Sequence, residues 1–177
     1  MISDKLCQAM NDQIKNELES YYIYLSMAAY FETVSLDGMG HWMRCQAHEE
    51  MMHAMKFFSH VIDRGGKVIL QDLKQLKTQW SSPLEAFQDA YEHEKFISGK
   101  INELTTIARE ERDYASEPLL SWFSDEQVEE EANASKIADQ LEMVGSDKSG
   151  LLMIDRELAA RPFTPGSPLD PTAISAA

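Results

Sequence analysis

Met43-Arg44-Cys45-Gln46-Ala47-His48-Glu49-Glu50-Met51-Met52-His53-Ala54-Met55-Lys56-Phe57-Phe58-Ser59-His60-Val61 is a helical stripe with a carboxylate in the wrong place. Met43, Ala47, Glu50, Ala54, Phe57 and Val61 recur at steps of three and four, which puts them on one face of a helix. Glu50 therefore falls where a core side chain belongs. Three further stretches do the same. Met10, Ile14, Glu17, Tyr21, Tyr24, Ala28 and Phe31 form one stripe, and Phe87, Ala90, Glu94, Ile97, Ile101 and Leu104 another. The last reads Leu120, Phe123, Gln127, Glu130, Ala134, Ile137, Leu141 and Val144, with two polar interruptions. An ionised carboxylate buried without a partner costs several kcal/mol. Four helices making that choice at mid-length point to one shared cation site.

The bulk composition agrees with a single all-α domain. The chain has 177 residues, 44% of them hydrophobic and 26% charged, enough for four full helices and little else. A formal net charge of −14 argues against nucleic acid and anionic membranes as partners and favours cations. Cys7 and Cys45 form no C-x-x-C pair, so a disulfide framework or zinc ribbon is not expected, and a reducing, cytoplasmic location is. The start, Met1-Ile2-Ser3-Asp4-Lys5, has no secretory character, and the longest nearly apolar run, Tyr21 to Phe31, is too short for a bilayer.

The first helix is expected to start at Ser3 or Asp4 and run to about Val34, followed by a turn at Leu36-Asp37-Gly38. The second runs to Arg64 and stops at Gly65-Gly66. Ser82-Pro83-Leu84-Glu85 reads as a capping box opening a third helix that ends near Arg112. A fourth starts around Ser116-Glu117-Pro118 and ends at Gly145, and Leu151–Leu158 fits a short fifth. Short connections make the first and last pairs antiparallel hairpins. The 18 residues from Gly65 to Ser82 reach about 60 Å when extended, more than the roughly 40 Å of a 28-residue helix. That segment can cross the bundle and make the second and third helices parallel, with Val68, Ile69 and Leu70 as a strand-like strap or a loose surface loop. The domain is expected over 1–161, with a Pro-rich tail over 162–177.

Glu50-x-x-His53 places a carboxylate and an imidazole within reach of one ion. Glu17, Glu94, Gln127 and Glu130 arrive at similar height from the other helices. A carboxylate majority with one imidazole and no thiolate suits iron or manganese over structural zinc. Four carboxylates exceed the charge of one divalent ion, so two ions bridged by Glu50 fit better.

Glu17, Glu50-x-x-His53, Glu94 and Gln127-x-x-Glu130 resemble the ferroxidase centre of the bacterial non-haem ferritins, over essentially residues 1–160. The resemblance implies a ferritin-like four-helix bundle with one long crossover and a short fifth helix. It also implies Fe²⁺ oxidation by O₂ or peroxide at two irons per subunit, and a ferric mineral stored in a cage of twenty-four subunits. Carried over by position, Glu17, Glu50 and His53 hold one iron, and Glu50, Glu94 and Glu130 the second, with Gln127 in or beside the shell. Glu49, Glu126 and Glu129 resemble a third iron site of these ferritins, although a solvated acidic face carries the same residues. Tyr24 resembles the family's tyrosine beside the irons, as donor of a hydrogen bond or an electron. Met51 stands where bacterioferritins ligate haem, and Glu117 matches an acid lining cage pores. A Gln-x-x-Glu pair in place of a second Glu-x-x-His departs from the bacterioferritins. The rival readings are a haem-containing bacterioferritin and a small di-iron oxidase or peroxide reductase. His41, His48, His60 and His93 read as surface or packing residues.

Overall fold

The computed structural model describes residues 1–74 and 76–163. They form an all-α bundle of α1 (Asp4–Thr33), α2 (Asp37–Asp63), α3 (Pro83–Glu110), α4 (Glu117–Val144) and a short α5 (Lys148–Leu158), with a 3₁₀ turn at Tyr114–Ser116. Local chemistry sets most boundaries. Ser3 Oγ accepts from Leu6 N at the start of α1, and Ser82 Oγ from Glu85 N at the start of α3, where Pro83 supplies the fixed φ of the first turn. Glu85 reaches back to Ser81 N at 2.6 Å, one residue earlier than a standard capping box places it.

The expected turn at Leu36-Asp37-Gly38 lies further upstream. Ser35 takes the left-handed conformation (φ 59°), and Asp37 and Gly38 already belong to α2. The reason is a cap from far along the chain. Asp155 of α5 accepts from Met39 N at 2.9 Å, putting a carboxylate on the exposed donors of the first turn of α2. A Cβ at Gly38 would lie 1.8 Å from the Asp155 carbonyl oxygen, so glycine is what lets α5 seat there. The fifth helix starts a turn earlier than Leu151 because the Asp147 side chain accepts from Ser149 N.

The crossover runs against α1 in extended form with no strand pairing among the described residues. Asn11 clips it from both sides, donating to Lys67 O (2.9 Å) and accepting from Ile69 N (2.6 Å). Further along, Gln71 meets Asp12, Lys74 N meets Glu19, and Ser26 meets Lys77 O. The strap thus follows α1 from one end to the other. Of the apolar run Val68-Ile69-Leu70, Val68 packs on the core, while Ile69 and Leu70 stay exposed.

Pairings such as Ile2 N to Arg64 O, Lys5 to Glu110 and Arg64 to Asp113 fix the directions. Helix α1 is antiparallel to α2 and α3, so α2 and α3 are parallel. The core divides into two clusters. One holds Tyr24, Phe31, Met43, Phe87 and Ile137, the other Leu6, Met10, Phe57, Ile97 and Phe123. Between them lies a polar layer formed by the residues that interrupt the four stripes.

Candidate metal centre

Each helix delivers its polar residue to the same level. Glu17, Glu50 and His53 have ligand atoms all within 4.8 Å of one another, and so do Glu50, Glu94 and Glu130. Glu50 belongs to both groups. All five residues are buried, none more than 4% exposed. Three oxygens in the layer, Glu17 Oε2, Glu50 Oε1 and Gln46 Oε1, are buried without a hydrogen-bond partner. A buried acceptor left in that state costs about 1–3 kcal/mol. Such oxygens are what a cation between the helices would satisfy, so the residues present fit one.

Most of the other oxygens meet donors from the layer itself. Gln13 Nε2 donates to Glu17 Oε1 (2.8 Å), and Gln46 Nε2 to Glu130 Oε2 (2.5 Å). Tyr24 donates its hydroxyl to Glu94 Oε1, and Gln127 Nε2 to Glu94 Oε2 (3.1 Å) and to the Glu94 carbonyl (3.2 Å). His53 Nδ1 lies 3.4 Å from Glu50 Oε2, and its Nε2 3.8 Å from Glu126 Oε1.

The electrostatics follow from burial and crowding. Burial, and then the charge of Glu50, raises both Glu17 and Glu130 to about 8. Burial with the neighbouring Glu130 raises Glu94 to about 8, and burial with Glu94 raises Glu50. Burial opposes a charge on His53, but the close carboxylates of Glu126, Glu50 and Glu17 outweigh that and push it up to about 11. Burial and then Glu94 lift Tyr24 well above the ordinary phenol range. Without metal, Glu17, Glu94 and Glu130 therefore hold protons at neutral pH. A metal ion held there would take the place of those protons.

The ferritin-like domain family matches residues 7–144, a span containing every residue of both ligand groups. The chain belongs to the ferritin family. Among curated relatives, a bacterial non-haem ferritin of Bacteroides fragilis (strain 638R) is 41% identical over 161 residues, 91% of this chain and 100% of that protein. One from Staphylococcus epidermidis is 38% identical over 163 residues, 92% of this chain and 98% of its own. Among solved structures, a closed form of the Archaeoglobus fulgidus ferritin engineered by mutagenesis superposes with a TM-score of 0.91 at 46% identity, covering 93% of this chain and 100% of that one. An open-pore ferritin of the same archaeon gives 0.90 at 46%, covering 92% and 100%.

The outer acids of this ferritin chain are arranged differently from the inner ones. Among the described residues, Glu49, Glu126 and Glu129 do not form a ligand group of their own. Glu126 faces His53, whose nearby imidazole holds it below the usual carboxylate range. Glu129 is exposed, and Glu49 is bound by Arg161 at 2.6 Å. Met51 is half-buried, and Glu117 is exposed in a cleft of about 390 Å³ lined with Thr105, Arg109 and Ser121. His93 pairs with Ser20 and is pushed down to about 4 by burial, and His60 pairs with Ser116.

Sequence reasoning passed over Gln13, Gln46 and Arg161. For the two glutamines a signal exists. Each sits four residues before a stripe carboxylate, Glu17 and Glu50, on the same helix face. For Arg161 no local signal exists, since its partner lies on α2.

Proposed function

We propose that this chain is the subunit of an iron-storage ferritin that oxidises Fe²⁺ at a centre inside each four-helix bundle. The observation that carries this reading is the pair of buried ligand groups sharing Glu50, with orphaned oxygens on Glu17 and Glu50. In the proposal, Glu17, Glu50 and His53 take one Fe²⁺ and Glu50, Glu94 and Glu130 take the other. Gln127 lies beside the second ion, and Tyr24 holds Glu94 through its hydroxyl. Glu49, Glu126 and Glu129, with Glu130, serve a third ion at the outer edge. Two irons give up two electrons together, which converts O₂ and two protons to H₂O₂, or H₂O₂ and two protons to two waters. Mostly carboxylate ligation suits ions that must leave after oxidation, and hydrolysis of the departing Fe³⁺ yields the mineral.

Storage needs an enclosed volume that one bundle lacks, so the proposal includes a cage of twenty-four subunits. The curated relatives are bacterial non-haem ferritins matched along nearly their whole length, which supports the storage reading. No helix among the described residues is long and apolar enough to cross a membrane.

The test is to add Fe²⁺ to the metal-free protein in air, following Fe³⁺ absorbance, oxygen consumption and native mass. A rapid phase saturating at about two irons per subunit in a cage-sized particle is expected, with the rapid phase abolished in Glu50→Ala. A monomer or dimer that oxidises iron without retaining it would replace storage with a di-iron oxidase. A haem absorbance band in the purified protein would make it a bacterioferritin.

A further inference from the structure

After α5 the chain does not leave the bundle. It turns at Ala159 and Ala160 and lays residues 161–163 against the outer face of α2. The contacts there converge on one guanidinium. Arg161 Nη2 donates to Glu49 Oε2 at 2.6 Å, and its Cζ lies 4.9 Å from the Trp42 ring centre. Its carbonyl lies 2.5 Å from His41 Nε2, which must be the donor because a carbonyl only accepts. The Phe163 ring meets His41 edge-on at 4.5 Å. Arg161 Nη1 is buried and has no hydrogen-bond partner. This is a heavily anchored cation, planted on an acid next to the ligand layer.

We propose that Arg161 is a tethered counter-cation that competes with metal ions for Glu49, so that outer-site occupancy and docking of the 159–163 arm exclude one another. The proposal rests on the reading of Glu49 as an outer iron ligand. A guanidinium and a metal ion cannot both take the same carboxylate oxygens at full strength, and Arg161 is delivered by the fold at no translational cost. An ion entering between Glu49, Glu126 and Glu129 must first break a charge-assisted hydrogen bond. It binds more weakly for that reason. By reciprocity, an ion that does bind loosens the arm by the same factor. Arg161 is thereby a positioning residue that keeps the outer acids a transit station instead of a sink. The ion that stays only briefly leaves the inner pair free to turn over.

The test uses the assembled full-length protein, stripped of metal, and titrates it with Zn²⁺ by calorimetry, which removes oxidation from the measurement. In Arg161→Gln the third Zn²⁺ per subunit should bind about tenfold more tightly, the size expected for removing a partly exposed charge-assisted pair. The first two should be unchanged. Arg161→Lys keeps the charge but loses the fork and the stack on Trp42, and should fall between. Arg156→Gln, which removes an exposed charge from nearby α5, should behave as wild type and so excludes a net-charge effect. In the wild type, amide exchange at residues 159–163 should accelerate only with the third equivalent. A third ion whose affinity is unchanged or weaker in Arg161→Gln overturns the competition and leaves the outer site standing. A protein that takes two ions and no third, in wild type and variant alike, overturns both.

Discussion

Glu94 occupies a stripe position that periodicity assigns to a hydrocarbon, between Ala90, Ile97 and Ile101. From spacing alone its carboxylate is dispensable to the fold, and Leu in its place is expected to cost the metal-free protein nothing. The structure changes that expectation, because Tyr24 and Gln127 both donate to it from buried positions. Glu94→Leu strands the Tyr24 hydroxyl outright, whereas the Gln127 amide keeps the Glu94 carbonyl. A loss of about 2–3 kcal/mol in the metal-free protein follows. Adding Tyr24→Phe should recover at least half of it, since an absent hydroxyl cannot be stranded. Rapid Fe²⁺ oxidation should be lost in both proteins. Denaturant melts with EDTA check this, and a double variant no more stable than the single one would rule out the hydrogen bond as the cause. The buried carboxylates that the structure brings together were legible as interruptions of a pattern, each visible within its own helix. Their donors were legible only in part. Gln46 serves Glu130 on another helix, and Arg161 reaches Glu49 across 112 positions. Heptad spacing describes a helix face and says nothing about which face it meets.

At the level of elements, boundaries followed the sequence wherever the cap is local, as at Ser3 and Ser82, and departed from it where the cap is distant. Helix α2 has no side-chain cap of its own. Its first turn is served by Asp155, so the start of α2 and the seating of α5 are one structural event. Gly38 is the point where that event is vulnerable. A methyl group there would collide with the Asp155 carbonyl carbon and oxygen, both backbone atoms that cannot rotate away. Gly38→Ala gains about 1 kcal/mol of intrinsic helix propensity yet should destabilise the protein by about 2 kcal/mol or more through displacement of α5. Hydrogen exchange would register the change as lost protection over Lys148–Leu158 and at Met39 N, with α3 unaffected. Undiminished protection in α5 would mean that the helix docks through its apolar face alone, by Ile154 and Leu158. The crossover teaches the same lesson in reverse. Its length and direction could be read from residue counting, but its extended path along α1 depends on Asn11, a residue with no distinguishing mark in the sequence.

Across the whole molecule, the polar layer divides the core into two hydrophobic clusters and leaves buried oxygens without partners. The sign of its pH dependence can be worked out. Glu17, Glu94 and Glu130 titrate at about 8 in the folded protein and near 4.3 unfolded. His53 titrates at about 11 folded and near 6.5 unfolded. For both kinds of group the folded pKa is raised, so the native state binds more protons and the stability they give is lost as pH rises toward the folded value. Below about 6.5 a contrary contribution enters. Burial lowers His93 to about 4 and, with Arg64, lowers His60, so these two make the protein more stable as pH rises there. Between about 6.5 and 8 that opposition fades and the layer dominates the slope. Each extra proton held by the native state is worth about 1.4 kcal/mol per pH unit, and mutual repulsion spreads the carboxyl titrations, so a fall of about 1–3 kcal/mol from pH 6.5 to 8 is expected. Saturating Zn²⁺ should abolish it, because the ligands are then deprotonated in the native state, as they are in the unfolded one. Denaturant midpoints at the two pH values, with EDTA and with Zn²⁺, measure both slopes. Equal slopes with and without the ion would place the proton-holding groups outside the ligand layer, and a metal-free protein that gains stability over this window would contradict the raised carboxyl pKa values themselves.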